Sequence, residues 1–459
     1  MYFEQFYLTC LAHASYLIGC NGEAAVVDPQ RDVDIYLQAM QEHGLKLKYI
    51  LETHLHADFV SGHKELAERT GATIAVGATA GATFPHIALR EGDEIRIGRV
   101  RIQAIETPGH TPESMCFVIT DEEKSSAPWA VLTGDTLFIG DVGRPDLATT
   151  HTPPQLAAML YDSLHQKLMA LPNSTLVYPA HGAGSLCGRS MRAEKFSTIG
   201  TERLTNPALQ IQSKEEFVRD LTTNLPVRPE YFLQDAEINR NGAAALEALP
   251  PLHGMLPAEA RQLLEQGVIL LDVRPVEDFA RSHIPGAVSI ALGGQFASWA
   301  GTVLGLSSRP VLIGATPAML EEARMRLARV GIDELRGYLE GGVEAWQAAG
   351  FPMSHTPQMT VGELHDALEV GRVQVLDVRR AGEWNAAHID NAVWYPLDDF
   401  GSKLPQLDPR APLAVHCKGG YRSVIACSLL ERGGHHNLIN VLGGFDAWLK
   451  AELPVGAGV

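Results

Sequence analysis

Cysteine is scarce in this chain: Cys10, Cys20, Cys116, Cys187, Cys417 and Cys427 are spread over 459 residues, and none forms a Cys-x-x-Cys pair. That scatter excludes a disulfide framework and makes a reducing cytoplasm the expected compartment. Basic side chains are also short, 37 Lys and Arg against 54 Asp and Glu, for a formal charge of −17. Nucleic acid and anionic membrane both reward a basic face, so neither is expected as a partner. No stretch approaches the ~18 apolar residues of a membrane span. The first twenty residues lack a basic leader region, and Thr9, His13 and Ser15 interrupt their apolar character, so they read as a strand rather than a signal peptide. What remains is an ordinary globular mix, 46% hydrophobic and 20% charged, long enough for about three domains.

The first half alternates β-rich runs, such as 24–27 and 49–52, with helical stretches such as 33–43. Near 213–216, Ser-Lys-Glu-Glu has the form of a capping box that opens a helix, and Pro226, Pro229, Pro250 and Pro251 punctuate the stretch after it. A domain boundary is placed near Leu249. The second half repeats itself. Val268-Ile-Leu-Leu-Asp-Val-Arg274 and His283-Ile284 return as Val373-Gln-Val-Leu-Asp-Val-Arg379 and His388-Ile389, and Gly341-Gly342-Val-Glu-Ala-Trp346 returns as Gly443-Gly444-Phe-Asp-Ala-Trp448. Two tandem α/β domains are expected, 250–356 and 357–459, after an N-terminal domain over 1–249.

Chemistry collects where apolar runs end. Thr53-His54-Leu55-His56-Ala57-Asp58-Phe59 sets two imidazoles and a carboxylate within five residues, and His110, Asp135 and His181 each stand in a loop marked by Gly or Pro after a strand-like segment. One histidine in a loop is usually only hydrogen-bonded, but this set is a candidate metal site. In the last repeat, the strand-like 413–416 runs into Cys417-Lys418-Gly419-Gly420-Tyr421-Arg422-Ser423 and then a helical stretch. Paired glycines let successive amides turn inward as an anion nest, a helix N-terminus adds positive potential, and Lys418 and Arg422 reinforce it. Cys417 is therefore the candidate nucleophile. The upstream repeat has Ala315 and Leu320 at the places of Cys417 and Arg422, so it reads as catalytically silent. Cys427 reads as core packing.

The N-terminal motifs resemble the metallo-β-lactamase superfamily, whose motif is His-x-His-x-Asp-His with later His, Asp and His ligands. The fold implied is an αββα sandwich. Here the motif's last histidine is Phe59, which has no lone pair to donate, so a single metal is expected in place of two. That departure resembles the persulfide dioxygenases, and the resemblance implies one Fe(II) per chain held by His54, His110 and Asp135. These form a two-His-one-carboxylate set that leaves positions for substrate and O2. It leaves His56, Asp58 and His181 as residues that orient ligands or water. Arg144, in a family-like Gly-Asp-Val-Gly-Arg-Pro-Asp segment, has two equal readings, holding a substrate carboxylate or fixing the site through ion pairs. Cys187 reads either as an inert buried thiol or as a sulfur relay. The Cys417 loop, with Asp377, Arg379, Glu383 and the closing Gly-Gly-Phe-Asp-Ala-Trp, resembles the rhodanese sulfurtransferases, with Gly419, Gly420, Tyr421 and Ser423 as the persulfide-binding loop. The two resemblances together imply a low-molecular-weight persulfide, carried on glutathione or another thiol, with O2, sulfite and thiosulfate as the other small molecules. A zinc thioester hydrolase of the glyoxalase II type fused to rhodanese domains is the alternative. A homo-oligomer is expected, with Trp299 and Trp346 of the silent repeat as interface residues.

Overall fold

The computed structural model describes residues 1–456 apart from Asn224 and Pro226. It divides into two compact units, Met1–Leu249 with Ala328–Gly331, and Pro250–Leu327 with Ile332–Val459.

The first unit holds two six-stranded sheets. In one, Tyr2–Leu8, His13–Cys20, Glu23–Val27, Lys46–Leu51, Thr73–Gly77 and Ile87–Leu89 lie side by side in chain order. In the other, Glu94–Ile97, Val100–Glu106, Met115–Asp121, Ala130–Gly134, Leu176–Pro179 and Ser197–Thr198 do the same. Side-chain alternation with a period of two explains the layering. Along His13–Cys20, Tyr16 and Ile18 face Phe117, Ile119 and Leu132 of the opposite sheet, while Leu17 turns outward. There Leu17 packs with Val26 and Ile50 under Tyr36 and Met40 of helix Asp34–Glu42 and Leu66 of helix His63–Thr70. Cys116 and Val118 turn the other way, onto Leu160 of helix Pro153–Asp162 and Phe217 of helix Lys214–Thr222. The unit is thus the αββα sandwich expected.

The chain's first twenty residues, read as a strand, form two, paired as a hairpin with Tyr2 opposite Gly19. Helix Lys214–Thr222 begins where expected, but only half of its capping box forms. The Ser213 hydroxyl accepts from the Glu216 amide and donates to the Glu215 carboxylate, so Glu216 returns no bond to Ser213.

The second unit carries two five-stranded, all-parallel sheets with the same strand order. In the first, Leu270–Asp272 lies between Val288–Ser289 and Val311–Ile313; in the second, Gln374–Asp377 lies between Val393–Trp394 and Leu413–His416. Each repeat buries the same ion pair. Arg274 grips both oxygens of Asp272 and reaches the Ser282 carbonyl, and Arg379 does the same with Asp377 and Ala387.

The tryptophans expected at an oligomer interface are spent inside the chain. Trp346 is 1% exposed in the core of the upstream repeat, its indole N–H donating to the Pro352 carbonyl. Trp299 is 3% exposed and lies beneath the Arg380 guanidinium of the following repeat, 5.3 Å from the ring centre. Neither side chain is available to a second copy. Among the described residues, no helix is long and apolar enough to cross a membrane.

Candidate metal centre and cysteine loop

Four strand ends deliver the chemistry of the first unit. His54 follows strand Lys46–Leu51, His110 stands between Val100–Glu106 and Met115–Asp121, Asp135 follows Ala130–Gly134 and His181 follows Leu176–Pro179. His54, His110 and Asp135 converge, fully buried, with ligand atoms all within 4.8 Å of one another. Nε2 of His110 lies 3.4 Å and Nε2 of His54 3.9 Å from the same Asp135 oxygen, and the two rings stand 88° apart.

The tautomers follow from what stands behind the rings. Nδ1 of His110 donates to the Arg144 carbonyl at 2.9 Å. Nδ1 of His54 is 3.0 Å from the Thr53 hydroxyl, which itself donates to Asp28 at 2.9 Å. A hydroxyl whose single proton is committed to a carboxylate accepts from its other neighbour, so Nδ1 of His54 carries the proton. In both rings the lone pair is left on Nε2, and both Nε2 atoms are buried with no hydrogen-bond partner. Burial lowers the basicity of His54 and His110, which keeps the imidazoles neutral, as ligands must be. Burial alone would raise Asp135, but His181, His110 and His54 overcome it and hold the carboxylate well below its ordinary range. These residues form a metal-binding site. Two glycines make room for it: a Cβ at Gly134, where φ is +51°, would stand 2.6 Å from the Thr53 hydroxyl, and one at Gly143 would stand 2.0 Å from the Asp135 carbonyl.

The other histidines of the motif point elsewhere. Nε2 of His56 is 3.2 Å from Asp28 and 3.7 Å from Glu52, outside the first cluster. Burial opposes its cationic form, but Asp28 outweighs burial and its basicity rises. His181 spans Asp135, 2.8 Å from Nδ1, and Asp58, 3.0 Å from Nε2; against the effect of burial, the two carboxylates raise its basicity well above the usual value. The Phe59 ring is fully buried, 4.1 Å from the His13 ring and 4.4 Å from that of His56, so an apolar ring occupies a cage of imidazoles. The Cys187 thiol lies with Asp58 and His181, and burial pushes its pKa well up, toward the neutral thiol. Arg144 chelates Asp146, two residues on, through Nε and Nη2 at 2.6 and 2.8 Å and donates to the Leu186 carbonyl beside Cys187.

Sequence reasoning missed two supports, Asp28 and Asn239, and the buried His13 ring that packs on Phe59. The Asn239 amide donates to the carbonyls of His56 and Phe59 and accepts from Ser61, pinning the motif loop from a helix 180 residues away. An Asp-Pro pair after a strand signals Asp28, but only as a turn.

In the second unit, Cys417 directly follows strand Leu413–His416 and is 1% exposed. The Gly420 amide donates to its sulfur at 3.1 Å, and the Ser423 hydroxyl lies 3.6 Å from it. The helix begins at Tyr421, directly after Gly420 at φ +106°, so its N-terminus faces the sulfur as expected. Arg422 is held by a bidentate pair with Glu383, both contacts 2.7 Å, and Lys418 is exposed. The closing glycines lie beneath this loop. A Cβ on Gly444, at φ +56°, would stand 2.3 Å from the Cys417 carbonyl, which explains why the motif needs glycine there. Burial pushes the Cys427 thiol up, in keeping with a core role.

A family profile for the metallo-β-lactamase superfamily matches residues 8–181, and one for the rhodanese-like domain matches 256–349 and 360–451. Over 220 residues the chain is 34% identical to the mitochondrial persulfide dioxygenase ETHE1 of Mus musculus, a match spanning 46% of this chain and 77% of that protein. The chain belongs to the metallo-β-lactamase superfamily and carries two rhodanese-like domains. The chain is also 31% identical to a hydroxyacylglutathione hydrolase of Acidiphilium cryptum, a match spanning 45% of this chain and 88% of that protein. A solved metallo-β-lactamase structure from Staphylococcus aureus subsp. aureus COL is 32% identical with a TM-score of 0.67, and spans 74% of this chain and 98% of its own. The fusion of a metal-binding metallo-β-lactamase domain with rhodanese domains is therefore a property of the chain, and its first half is homologous to persulfide dioxygenases.

Proposed function

We propose that the chain oxidises a low-molecular-weight persulfide with O2 at the His54–His110–Asp135 site and transfers sulfane sulfur at Cys417, in the detoxification of sulfide. The work divides among 1–249 for the oxidation, 357–459 for the transfer and 250–356 as a silent domain. The observation that carries this reading is the donor set: two neutral imidazoles with free, buried Nε2 lone pairs and one carboxylate, beside a Phe59 ring where a second metal's histidine would stand. Two His and one carboxylate suit a single Fe(II) and leave open positions. Bound there, iron would supply the means for O2 and a thiolate sulfur to react on one centre.

The chain's own residues do the rest. His110 and His54 are oriented by the Arg144 carbonyl and by Thr53 with Asp28, so the site holds one geometry. His181 lies between Asp135 and Asp58, whose carboxylates favour its protonated form, and so is the group placed to hand a proton to the departing thiolate. Cys187 lines the same pocket as a neutral thiol. The net reaction, R–SSH + O2 + H2O giving R–SH and sulfite with two protons, takes four electrons from the outer sulfur. At the second site, the Cys417 thiolate takes the outer sulfur of a second persulfide and releases R–SH, and the Gly420 amide and the helix N-terminus stabilise the negative charge on the sulfur it then carries. Sulfite attacks that sulfur, the S–S bond breaks toward Cys417, and thiosulfate leaves. The reverse sequence, persulfide made from thiosulfate, uses the same residues.

Metal analysis of anaerobically purified protein, with O2 uptake on adding glutathione persulfide, tests this reading. About one iron per chain and uptake abolished by His110→Ala support it. Zinc, no uptake and hydrolysis of S-lactoylglutathione would replace it with the hydrolase reading that the Acidiphilium relative suggests.

A further inference from the structure

We propose that Tyr421 is a positioning residue for Cys417, and that the silent repeat is retained as the anchor that holds it. The inference rests on the reading of Cys417 as the sulfur carrier. Tyr421 occupies the first helical position of the loop that faces the sulfur, between Gly420, whose amide reaches the sulfur, and Arg422, which pairs with Glu383. Its side chain leaves that loop altogether. The phenol donates to the Ala291 carbonyl of the silent repeat at 2.7 Å, and its ring lies against Gly294, where an added Cβ would stand 3.4 Å from two ring carbons. Gly294 has φ +80°, so the silent repeat keeps a residue without a side chain where the ring sits. The receiving segment is itself fixed: Ile290 and Leu292 donate to the carbonyls of Asp272 and Val273, and Arg326 donates to the Leu292 carbonyl.

The contact continues down the helix on one face. After Tyr421 come Val424, buried in the silent repeat's core; Ser428, which accepts from the Ser289 amide; and Glu431, held by His283 and Ser354. These positions follow the i, i+3, i+7, i+10 spacing of a helix stripe. The opposite wall of the loop is anchored to the same repeat. Arg380, whose backbone amide donates to Glu383, stacks on Trp299. The silent repeat thus grips both sides of the active loop and adds no reacting group.

Tyr421→Phe keeps the ring and removes only the bond to Ala291; Ser428→Ala removes another bond to the same repeat, two turns further along. Both are made in the full chain. Two readings are taken: the pH profile of iodoacetamide alkylation at Cys417, followed by peptide mass, and sulfur transfer from thiosulfate to cyanide. Loss of one neutral hydrogen bond predicts a fall in the alkylation rate and in kcat of about fivefold for Tyr421→Phe. Its alkylation profile should move to higher pH, with KM little changed, and Ser428→Ala should follow the parent. A Tyr421→Phe profile that superposes on the parent, or equal shifts in both variants, overturns the proposal. Transfer that survives Cys417→Ser would overturn the underlying reading instead, and the alkylation profile still decides whether Tyr421 positions this thiol.

Discussion

Replacing Thr53 with valine removes one hydroxyl and little else. The Thr53 amide still donates to Asp28 at 2.7 Å and its carbonyl still accepts from Met115 at 2.7 Å, so the backbone beneath the metal site stays tied. What disappears is the acceptor for Nδ1 of His54, in a place where both residues are 1% exposed and water cannot substitute. A buried N–H without a partner costs about 1–3 kcal/mol, which falls on the state with Nε2 free to bind metal. The competing state has the proton on Nε2 and no donor toward the metal. At about 1.4 kcal/mol per tenfold, Fe(II) affinity should drop by roughly 5- to 150-fold, a range that brackets the roughly 10- to 100-fold typical when outer supports of metal ligands are removed. The assay is anaerobic competition for Fe(II) against a coloured chelator, with O2 uptake at saturating iron alongside. Affinity should fall while uptake at saturating iron stays within a fewfold of the parent. Parental affinity in Thr53→Val would refute the tautomer argument, as would uptake that no concentration of iron restores.

Three further outcomes rest on other contacts. Cys417→Ser should leave O2 consumption on glutathione persulfide intact while the product changes from thiosulfate to sulfite; simultaneous loss of oxygen uptake would show that the two sites do not divide the work as proposed. Phe59→His replaces a ring that lies 4.4 Å from His56 with a donor, and with Asp58 and His181 nearby the metal content of zinc-grown protein should rise from about one to about two per chain by elemental analysis; a content still at one would mean that more than Phe59 excludes the second ion. Glu383 is half-buried, and although burial opposes its charge, Arg422 holds its pKa below the ordinary value. A carboxylate with a depressed folded pKa contributes stability above its unfolded pKa and loses it as pH falls through the folded one. Glu383→Gln should therefore cost about 1–2 kcal/mol in urea unfolding at pH 7, with the difference shrinking below about pH 4.5, and an equal difference at both pH values would argue against the pair.

How much of this was legible in the sequence depends on whether a residue's partner lies near it in the chain or only in space. His54, His110, Asp135 and Cys417 announce themselves because each follows an apolar strand into a loop marked by Gly or Pro, and a strand's end is where a rigid scaffold can aim a side chain. The repeat was legible through Asp272–Arg274 and Asp377–Arg379, since each ion pair is closed within two residues. Arg144 had two readings of equal weight, although its partner Asp146 also stands only two residues on, because the spacing gives no rotamer. Asp28, His13 and Asn239 were not legible: each is a lone polar residue in an otherwise structural segment, and its role exists only once strands distant in sequence are assembled. Trp299 misled for the same reason, since bulk and apolarity suit an oligomer interface and a repeat-to-repeat contact equally, and only the position of Arg380 distinguishes them. Tyr421 shows where the limit lies. The loop motif fixes its backbone, which the sulfur site uses, but the direction of its side chain is decided by Gly294 in a repeat whose own nucleophile is gone. If the repeat with Ala315 and Leu320 at the places of Cys417 and Arg422 serves as proposed, substitutions at its positions that touch Tyr421 should be felt at Cys417, whereas those on its far side should not.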